Sequence, residues 1–298
     1  MRTLKFLILS ILLLTAASCR PRPSQSDGNY NFHDQLGRQI ELQGKPRRII
    51  SFAPNITEMI YALRAEDRLV GVTSWCSYPP EAKSKTIVGD YASPNWERIL
   101  ALRPDLVLLV GTRDSPILSR LEAHRIPAAA FCSETPQDIM AEISLLGVLL
   151  DREPEADSLT RSLAAQLDSL RPARDLAPAP RPAVFAEISD RPLLTGNDRS
   201  FLGQLIALAG GKNIAADMPE TYAAFNPELV IARKPDIILI FHPGTDAREV
   251  AQRPGWAHIP AVKNGRIYYG FDLELMMRPG PRFVQAARML QQIFYEKK

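Results

Sequence analysis

Side chains that could catalyse a reaction or hold a bare metal ion are scattered along this sequence. Its four histidines are His33, His124, His242 and His258. None lies near another at the spacing of metal ligands, and only His242 is well placed after a predicted strand, so we expect no metal site. Cys76 has no identifiable His–Asn pair to orient it as a nucleophile, and neither a Gly-Xaa-Ser-Xaa-Gly elbow nor a phosphate-binding glycine loop occurs. These patterns favour binding over catalysis, and no cofactor is expected.

Four other residues stand at a matched spacing. Tyr91 lies six residues before Glu97, and Tyr222 lies six residues before Glu228. A tyrosine offers a broad apolar face with a polar tip, which suits contact with a large, partly polar molecule, although tyrosines also pack in ordinary half-buried positions. An exposed carboxylate can pair with a cation of a partner protein, although the first turn of a helix favours glutamate in any case. The spacing predicts two equivalent places in the fold.

The elements that carry these residues form an internal repeat. Residues 95–110 align without a gap on residues 226–241, with matching Asn, Glu, Ala, Pro and Asp positions. Each copy predicts a short helix, a Pro-Asp turn and an apolar strand buried on both faces, as in a parallel sheet covered by helices. The repeat therefore predicts an α/β protein with two similar lobes, each a parallel-sheet sandwich with helices on both faces.

A helical segment separates the two predicted lobes. Apolar residues recur at helical spacing from residue 136 to residue 171, and Glu153-Pro154 is expected at most to kink the helix. We predict one long backbone helix of about 30 residues, followed by a proline-rich loop. Because a packed helix resists bending, the cleft between the lobes is expected to open by only a small angle. The predicted boundaries are a signal peptide at 1–19, a tether and opening hairpin at 20–45, the first lobe at 46–135, the connector at 136–171 and the second lobe at 172–298.

The N-terminus predicts the compartment. Two basic residues precede an apolar run at 6–14 and small residues at 16–18, a pattern typical of a secretory signal. Cys19 follows as in the bacterial lipobox, with Ala16 where that pattern usually has Leu, and this resemblance implies that Cys19 is lipidated. A plain signal peptide with an incidental cysteine is the alternative. We expect an extracytoplasmic protein that is anchored to a membrane through Cys19.

The remaining cysteines and the charge limit the chemistry of the body of the chain. In an oxidising compartment Cys76 and Cys132 are candidates for a disulfide, with two free buried thiols as the alternative. The formal net charge is +3, and part of it lies in the leader and tether. No basic stripe with interleaved aromatic residues occurs, so we do not expect nucleic acid as a partner. We expect a monomer.

Several motifs together resemble a known family. The sequence is similar to the class III periplasmic binding proteins of ABC importers, which carry cobalamin, ferric siderophores or haem, and it most resembles the cobalamin-binding branch. The resemblance covers nearly everything from Asn31 onwards. The motifs are those at 34–38, 46–51, 54–58, 70–80, 95–99 and 278–282.

The resemblance implies roles for individual residues. Tyr91 and Tyr222 match two Trp residues that hold the corrin from opposite lobes, and Val110 and Leu194 replace two further pocket aromatics, so the pocket is expected to be less aromatic than in cobalamin-binding members. Glu97 and Glu228 match the surface glutamates, one per lobe, that dock on the permease. The implied ligand-binding residues are Trp75, Tyr78, Tyr91, Tyr222 and Arg278.

The resemblance also implies the function. The expected protein is the solute-binding component of an ABC importer, which captures a corrinoid or similar bulky chelate and delivers it to a permease dimer with its ATPase. A ferric siderophore or haem is the alternative ligand. A surface sensor or adhesion module that reuses the fold is an alternative from another class, because fold does not fix function.

Overall fold

The computed structural model describes residues 28–175 and 181–296. The predicted signal peptide, Cys19 and most of the predicted tether lie outside the described residues, so the lipidation of Cys19 stays a prediction. Within the described part of the chain, no helix is long and apolar enough to cross a membrane.

The first lobe is built on a five-stranded, all-parallel sheet. The strands follow one another across this sheet in the order β5-β4-β3-β6-β7. An antiparallel hairpin, β1–β2, precedes it, as the motif at 34–38 predicts. The elements are β1 (Tyr30–His33), β2 (Gln39–Leu42), β3 (Ile49–Ser51), α1 (Pro54–Ala62), β4 (Leu69–Val72), β5 (Thr86–Ile87), α2 (Trp96–Ala101), β6 (Leu106–Val110), α3 (Pro116–Ala123) and β7 (Ala128–Phe131).

The predicted single connector helix is in fact two helices, α4 (Pro136–Leu149) and α5 (Glu153–Asp175). The break lies at Asp151, whose φ of 51° cannot continue a right-handed helix. Lys45 and Arg68 of the first lobe pair with the Asp151 carboxylate and hold the break in place. Pro154 lies in the first turn of α5, where a missing backbone N–H costs nothing.

The second lobe repeats the parallel sheet with four strands in the order β11-β8-β13-β14. It adds a three-stranded antiparallel sheet, β12-β10-β9, which the repeat did not predict. The elements are β8 (Ala183–Glu187), β9 (Ser189–Asp190), β10 (Leu193–Gly196), α6 (Phe201–Leu208), β11 (Lys212–Asn213), β12 (Tyr222–Ala224), α7 (Pro227–Arg233), β13 (Ile237–Ile240), α8 (Ala247–Ala251), α9 (Pro260–Lys263), β14 (Ile267–Tyr268), α10 (Leu273–Met276) and α11 (Phe283–Tyr295).

Three apolar clusters cover the two faces of the two main sheets. Because side chains alternate along a strand, Ile49 of β3 packs in one cluster and Ile50 in another. The first-lobe outer cluster holds α2 and α3 against the sheet, and the second-lobe outer cluster holds α7, α8 and α9. The third cluster is shared by both lobes, since it contacts one face of each sheet and includes residues of α1, α4, α5, α6 and α11. Both sheets are therefore covered by helices on both faces, as predicted.

The internal repeat is visible in atomic detail. Asn95 caps α2 by accepting from the backbone N–H of Arg98, and Asn226 caps α7 by accepting from that of Glu228. Asp105 then accepts from the backbone N–H of Arg48, 2.9 Å away, at the start of β3. Its counterpart Asp236 does the same for Ala183 at the start of β8, 2.8 Å away. The Pro-Asp turn therefore ties two neighbouring parallel strands together in each lobe.

The predicted disulfide between Cys76 and Cys132 is absent, because both thiols are free in the structure. Cys132 directly follows β7 and is exposed, whereas Cys76 is buried, with its sulfur 3.2 Å from the hydroxyls of Thr57 and Thr73. Two strands separate β4 from β7, which places those strands roughly 14 Å apart. A disulfide needs Cα atoms within about 7 Å, so the fold keeps the two cysteines apart.

Candidate functional site

The sheet order predicts where a ligand can bind in each lobe. In an open parallel sheet, ligands bind outside the carboxyl ends of the strands where the strand order reverses. That point lies between β3 and β6 in the first lobe and between β8 and β13 in the second. The two lobes therefore offer equivalent edges.

Exposed aromatic rings collect at these edges. The most exposed large aromatic side chains in the described part of the chain are Trp75, Tyr78, Tyr91, Tyr222 and Tyr269, at 40 to 65% exposure. Four of them follow the carboxyl end of a strand, and Tyr222 begins β12. Val110, the last residue of β6, is also exposed. Large apolar surfaces left open at one edge of a fold mark a binding site.

Sequence reasoning missed Tyr269. It directly follows β14, the last strand of the second-lobe sheet, and precedes a turn at Gly270 with positive φ. The sequence could have indicated this residue, because Tyr269 follows an apolar strand, as Trp75 does after β4. Tyr269 therefore adds an exposed aromatic ring on the second-lobe side to those that the sequence predicted.

Tyr91 is anchored within its own lobe. Its hydroxyl lies 2.8 Å from Ser115 Oγ, and either oxygen can be the donor. The Tyr91 hydroxyl also lies close to the backbone of Gly111, the residue after β6. A Cβ atom on Gly111 would lie only 2.8 Å from the hydroxyl oxygen. A larger residue at Gly111 would require the tyrosine hydroxyl to shift. The first lobe therefore fixes Tyr91 across the carboxyl end of β6.

Tyr222 is anchored to the opposite lobe. Its hydroxyl donates to Glu134 Oε2, 3.0 Å away, and the backbone N–H of Phe201 donates to the same oxygen at 2.6 Å. A Cβ on Gly196 would lie 3.2 Å from Tyr222 Cε1, so this ring also lies against a glycine. Burial raises the pKa of Tyr222, and the charge of Glu134 and its hydrogen bond raise it further. Glu134, which sequence reasoning missed, therefore holds Tyr222 as a protonated phenol.

Glu134 is itself shifted towards the neutral form. Burial raises its pKa, the hydrogen bonds from Phe201 and Tyr222 lower it in part, and the nearby charge of Asp138 raises it again. The residue lies just before Thr135, whose side chain and Asp138 form a capping box at the start of α4. The only sequence signal for Glu134 was this position beside a helix cap.

A second set of contacts between the lobes involves the predicted ligand residue Arg278. The buried carboxylate of Glu58 on α1 accepts from Arg278 at 3.3 Å and from Arg282 at 2.8 Å. Arg278 also donates to the backbone oxygen of Trp75 at 2.9 Å and pairs with Glu274 at 3.1 Å. Arg278 therefore lies beside Trp75, but its N–H groups donate to protein groups of both lobes.

Tyr78 belongs to the same region. The guanidinium of Arg282 lies 3.7 Å from the centre of the Tyr78 ring, a cation–π contact between the second lobe and the first. Ser77 adds a hydrogen bond to Glu274. The loop that follows β4 thus joins the two lobes at one side of the cleft, and Glu134 joins them at another.

A buried ion pair occupies the carboxyl edge of the second-lobe sheet. Glu187, at the end of β8, is fully buried, and Arg253 donates to both of its oxygens, at 2.5 and 2.7 Å. His242 Nε2 lies 2.9 Å from Glu187 Oε1. His242 is therefore part of a carboxylate–arginine–histidine group. Within the described residues, no group of three or more His, Cys, Asp or Glu side chains could hold a metal ion.

Glu97 and Glu228 lie six residues after Tyr91 and Tyr222, on α2 and α7. Both are exposed and both lie in the first turn of their helix. Leu100 on α2 and Leu229 on α7 are exposed beside them. The two helices are equivalent in the repeat, so the two carboxylates form a matched pair of surface charges.

Comparison with known proteins identifies the family. The model of the periplasmic binding protein family matches residues 49–272. The chain is 30% identical over 269 residues to an uncharacterised ABC transporter substrate-binding lipoprotein of Bacillus subtilis, covering 88% of this chain and 84% of that protein. It is 30% identical over 250 residues to the vitamin B12-binding protein of Pectobacterium carotovorum, covering 82% and 87% of the two chains.

A solved structure agrees with the sequence comparison. The periplasmic heme-binding protein of Roseiflexus superposes with a TM-score of 0.73 at 28% identity, covering 84% of this chain and 98% of that chain. The repeat, the parallel sheets and the aromatic edges described above fit the same conclusion. The chain therefore belongs to the periplasmic binding protein family, the solute-binding components of ABC importers, and it is a binding protein rather than an enzyme.

Proposed function

We propose that the protein captures a corrinoid in the cleft between its lobes and delivers it to an ABC permease. The observation that carries this proposal is the set of five exposed aromatic rings, four of which follow the carboxyl ends of strands in the two parallel sheets, while the fifth, Tyr222, begins β12. Flat apolar rings from both lobes suit a large, flat and partly polar ligand. The similarity to a vitamin B12-binding protein supports the same ligand class.

Direct binding tests the proposal. The protein should bind cyanocobalamin with quenching of the fluorescence of exposed Trp75, and calorimetry should give one site per chain. Hemin and a ferric siderophore serve as competitors. Absence of cyanocobalamin binding, or its complete displacement by a stoichiometric amount of either competitor, would contradict the corrinoid proposal.

Haem or a ferric siderophore is the second candidate. It is favoured by Tyr91, whose hydroxyl has only the neutral hydroxyl of Ser115 as its partner and can contact a ferric centre or a polar edge, and by the similarity to a heme-binding protein. The absorbance spectrum of protein purified from its host would distinguish the candidates, because corrinoids, haem and ferric siderophores absorb differently.

Docking on the permease is proposed for Glu97 and Glu228. Two exposed carboxylates on equivalent helices suit a permease with two matching subunits, since each lobe then meets one cation. Exposed ion pairs of this kind give orientation and association rate more than affinity. The repeat therefore supports a role for the pair that neither glutamate supports alone.

Anchoring through lipidated Cys19 is part of the same proposal. A binding protein held at the membrane stays close to its permease, which raises its effective concentration there. The change Cys19→Ser should release the protein from the membrane fraction without altering ligand binding. A Cys19→Ser protein that still sediments with membranes would contradict the lipid anchor.

A further inference from the structure

We infer that Glu134 determines how the second lobe recognises the ligand: it keeps Tyr222 a hydrogen-bonded phenol, so that Tyr222 contacts the ligand with its ring and does not ligate a metal. The inference rests on the proposed function, since it concerns the same cleft. It goes further because it assigns a role to Glu134 of the first lobe in positioning Tyr222, a ligand-contacting residue of the second lobe.

The geometry holds Glu134 firmly in place. Thr135 Oγ1 accepts from the backbone N–H of Asp138 at 3.1 Å, and Asp138 Oδ2 accepts from that of Thr135 at 3.0 Å. This reciprocal cap fixes the loop after β7, and Phe201 fixes the carboxylate from the other side at 2.6 Å. Glu134 thus reaches across the cleft to the first residue of α6, an eight-residue helix. Tyr222 receives an acceptor that is already immobilised.

The chemistry of metal ligation follows from this contact. Tyrosine binds ferric iron as a phenolate, as in one class of haem proteins, so its proton must leave. At Tyr222 the loss of that proton would place the phenolate oxygen 3.0 Å from the Glu134 carboxylate, so that two negative oxygens would repel each other. Burial of Tyr222 and then the charge of Glu134 raise the pKa of the phenol, hydrogen bonds from Phe201 and Ser200 lower it in part, and the net direction is upward, in agreement with this geometry.

Tyr91 is under no such constraint. Its partner is the neutral hydroxyl of Ser115, which could donate to a phenolate as readily as it accepts from a phenol. A ligand metal could therefore be approached from the first lobe but not from the second. The cleft therefore fits a chelate whose metal already has an axial ligand on the side that faces Tyr222. A corrinoid with two axial groups meets this condition.

Hemin is a suitable probe because its iron has open axial positions. A tyrosinate bound to ferric iron gives a charge-transfer band in the visible spectrum, and this band reports ligation independently of affinity. Spectra would be recorded for the wild-type protein, Tyr222→Phe, Glu134→Gln and the double variant Glu134→Gln with Tyr222→Phe. Glu220→Gln is the matched control, because it removes the same charge from an exposed position two residues from Tyr222.

The inference predicts that Tyr222→Phe leaves the hemin spectrum of the wild-type protein unchanged. Glu134→Gln should gain a tyrosinate–iron band that the double variant lacks, and Glu220→Gln should resemble the wild type. A wild-type band that disappears in Tyr222→Phe would overturn the inference. So would a Glu134→Gln spectrum identical to that of the wild type, since the carboxylate would then not restrain the phenol.

Cyanocobalamin separates this inference from the proposed function. If cyanocobalamin does not bind the wild-type protein, the corrinoid proposal fails, while the hemin spectra still decide the role of Glu134. If it binds, Glu134→Ala should weaken binding about tenfold because Tyr222 loses its positioning acceptor, and Glu134→Gln, which keeps an acceptor, should weaken it less. Circular dichroism would confirm that each variant is folded.

Discussion

The two lobes present equivalent tyrosines to the cleft but anchor them differently. Tyr91 bonds to Ser115 of its own lobe, whereas Tyr222 bonds to Glu134 of the opposite lobe. Each tyrosine lies against a glycine, with the Tyr91 hydroxyl at Gly111 in the first lobe and the Tyr222 ring at Gly196 in the second. A repeat in the sequence therefore predicts where a backbone carries a side chain, but not which partner holds that side chain.

Buried carboxylates of the lobes differ from one on the connector. Glu187 of the second lobe is neutralised by Arg253, and Glu58 of the first lobe by Arg278 and Arg282. Glu142 on α4 has the hydroxyl of Ser133 for one oxygen, and its other oxygen has no hydrogen-bond partner within the described residues. Burial raises the pKa of Glu142 to about 8, Ser133 lowers it in part, and the charge of Asp138 raises it again. Buried charge is thus paired in both lobes, whereas on the connector protonation suppresses it.

The largest expected effect tests whether both lobes dock. Changing Glu97→Arg together with Glu228→Arg should abolish ligand uptake while ligand affinity stays unchanged, because like charges would then face the permease. Each single variant should lose only part of the uptake if the lobes contribute equally. Glu249→Arg is the control, since Glu249 is exposed in the first turn of α8 but lies outside the repeat. Loss of ligand binding in the double variant would place these glutamates in the pocket instead.

The next effect concerns the contacts that join the lobes. Glu58→Ala leaves Arg278 and Arg282 without their buried acceptor, so the free energy of unfolding should fall by about 3–5 kcal/mol. Glu274→Ala removes a partner of the same Arg278 that is 43% exposed, so it should cost about 0–1 kcal/mol. Urea denaturation of the two variants gives both values. Equal losses would show that the Glu58 pair is no more important than a surface ion pair.

The two cleft tyrosines should each contribute to ligand binding. Tyr91→Ala and Tyr222→Ala should each weaken cyanocobalamin binding by about 1–3 kcal/mol, as expected for a buried aromatic anchor. Tyr222→Ala should also lower stability slightly, because Glu134 loses a donor, whereas Tyr91→Ala should not. Calorimetry and thermal unfolding measure the two quantities. Unchanged affinity in both variants would place the ligand elsewhere.

The smallest effect tests the repeat itself. Asp105→Ala and Asp236→Ala each remove a carboxylate that accepts from a backbone N–H at the start of a neighbouring strand, that of Arg48 just before β3 and that of Ala183 in β8. Each should lower the free energy of unfolding by about 1–2 kcal/mol, and the two losses should be similar. A large difference between them in urea denaturation would show that the matched aspartates do not play matched structural roles.

Local patterns predicted much of the fold. The helix–turn–strand units at 95–110 and 226–241 and the two parallel sheets are confirmed, because the apolar strands of the repeat are recognisable within short segments. The opening hairpin, which the family resemblance implied, is also present. The connector was predicted as one helix because Leu and Ile continue at helical spacing on both sides of Asp151, whose positive φ no periodicity reveals.

The contacts in the site between residues far apart in the chain could not be predicted from the sequence. Glu58 and Arg282 are 224 residues apart and meet only when the two lobes are assembled. Tyr222 and Glu134 are 88 residues apart and belong to different lobes. The predicted disulfide was wrong for a related reason, since proximity of Cys76 and Cys132 depends on strand order rather than on spacing along the chain.

The apolar cluster shared by both lobes has a consequence for how the molecule unfolds. Residues of both main sheets, of α4 and α5 and of α11 belong to this one cluster, so neither lobe can lose its inner face without exposing that of the other. Cooperativity in unfolding follows the continuity of the core more closely than it follows the repeat in the sequence. The protein should therefore melt in a single transition, with equal calorimetric and van't Hoff enthalpies, and its two lobes should behave as one thermodynamic unit.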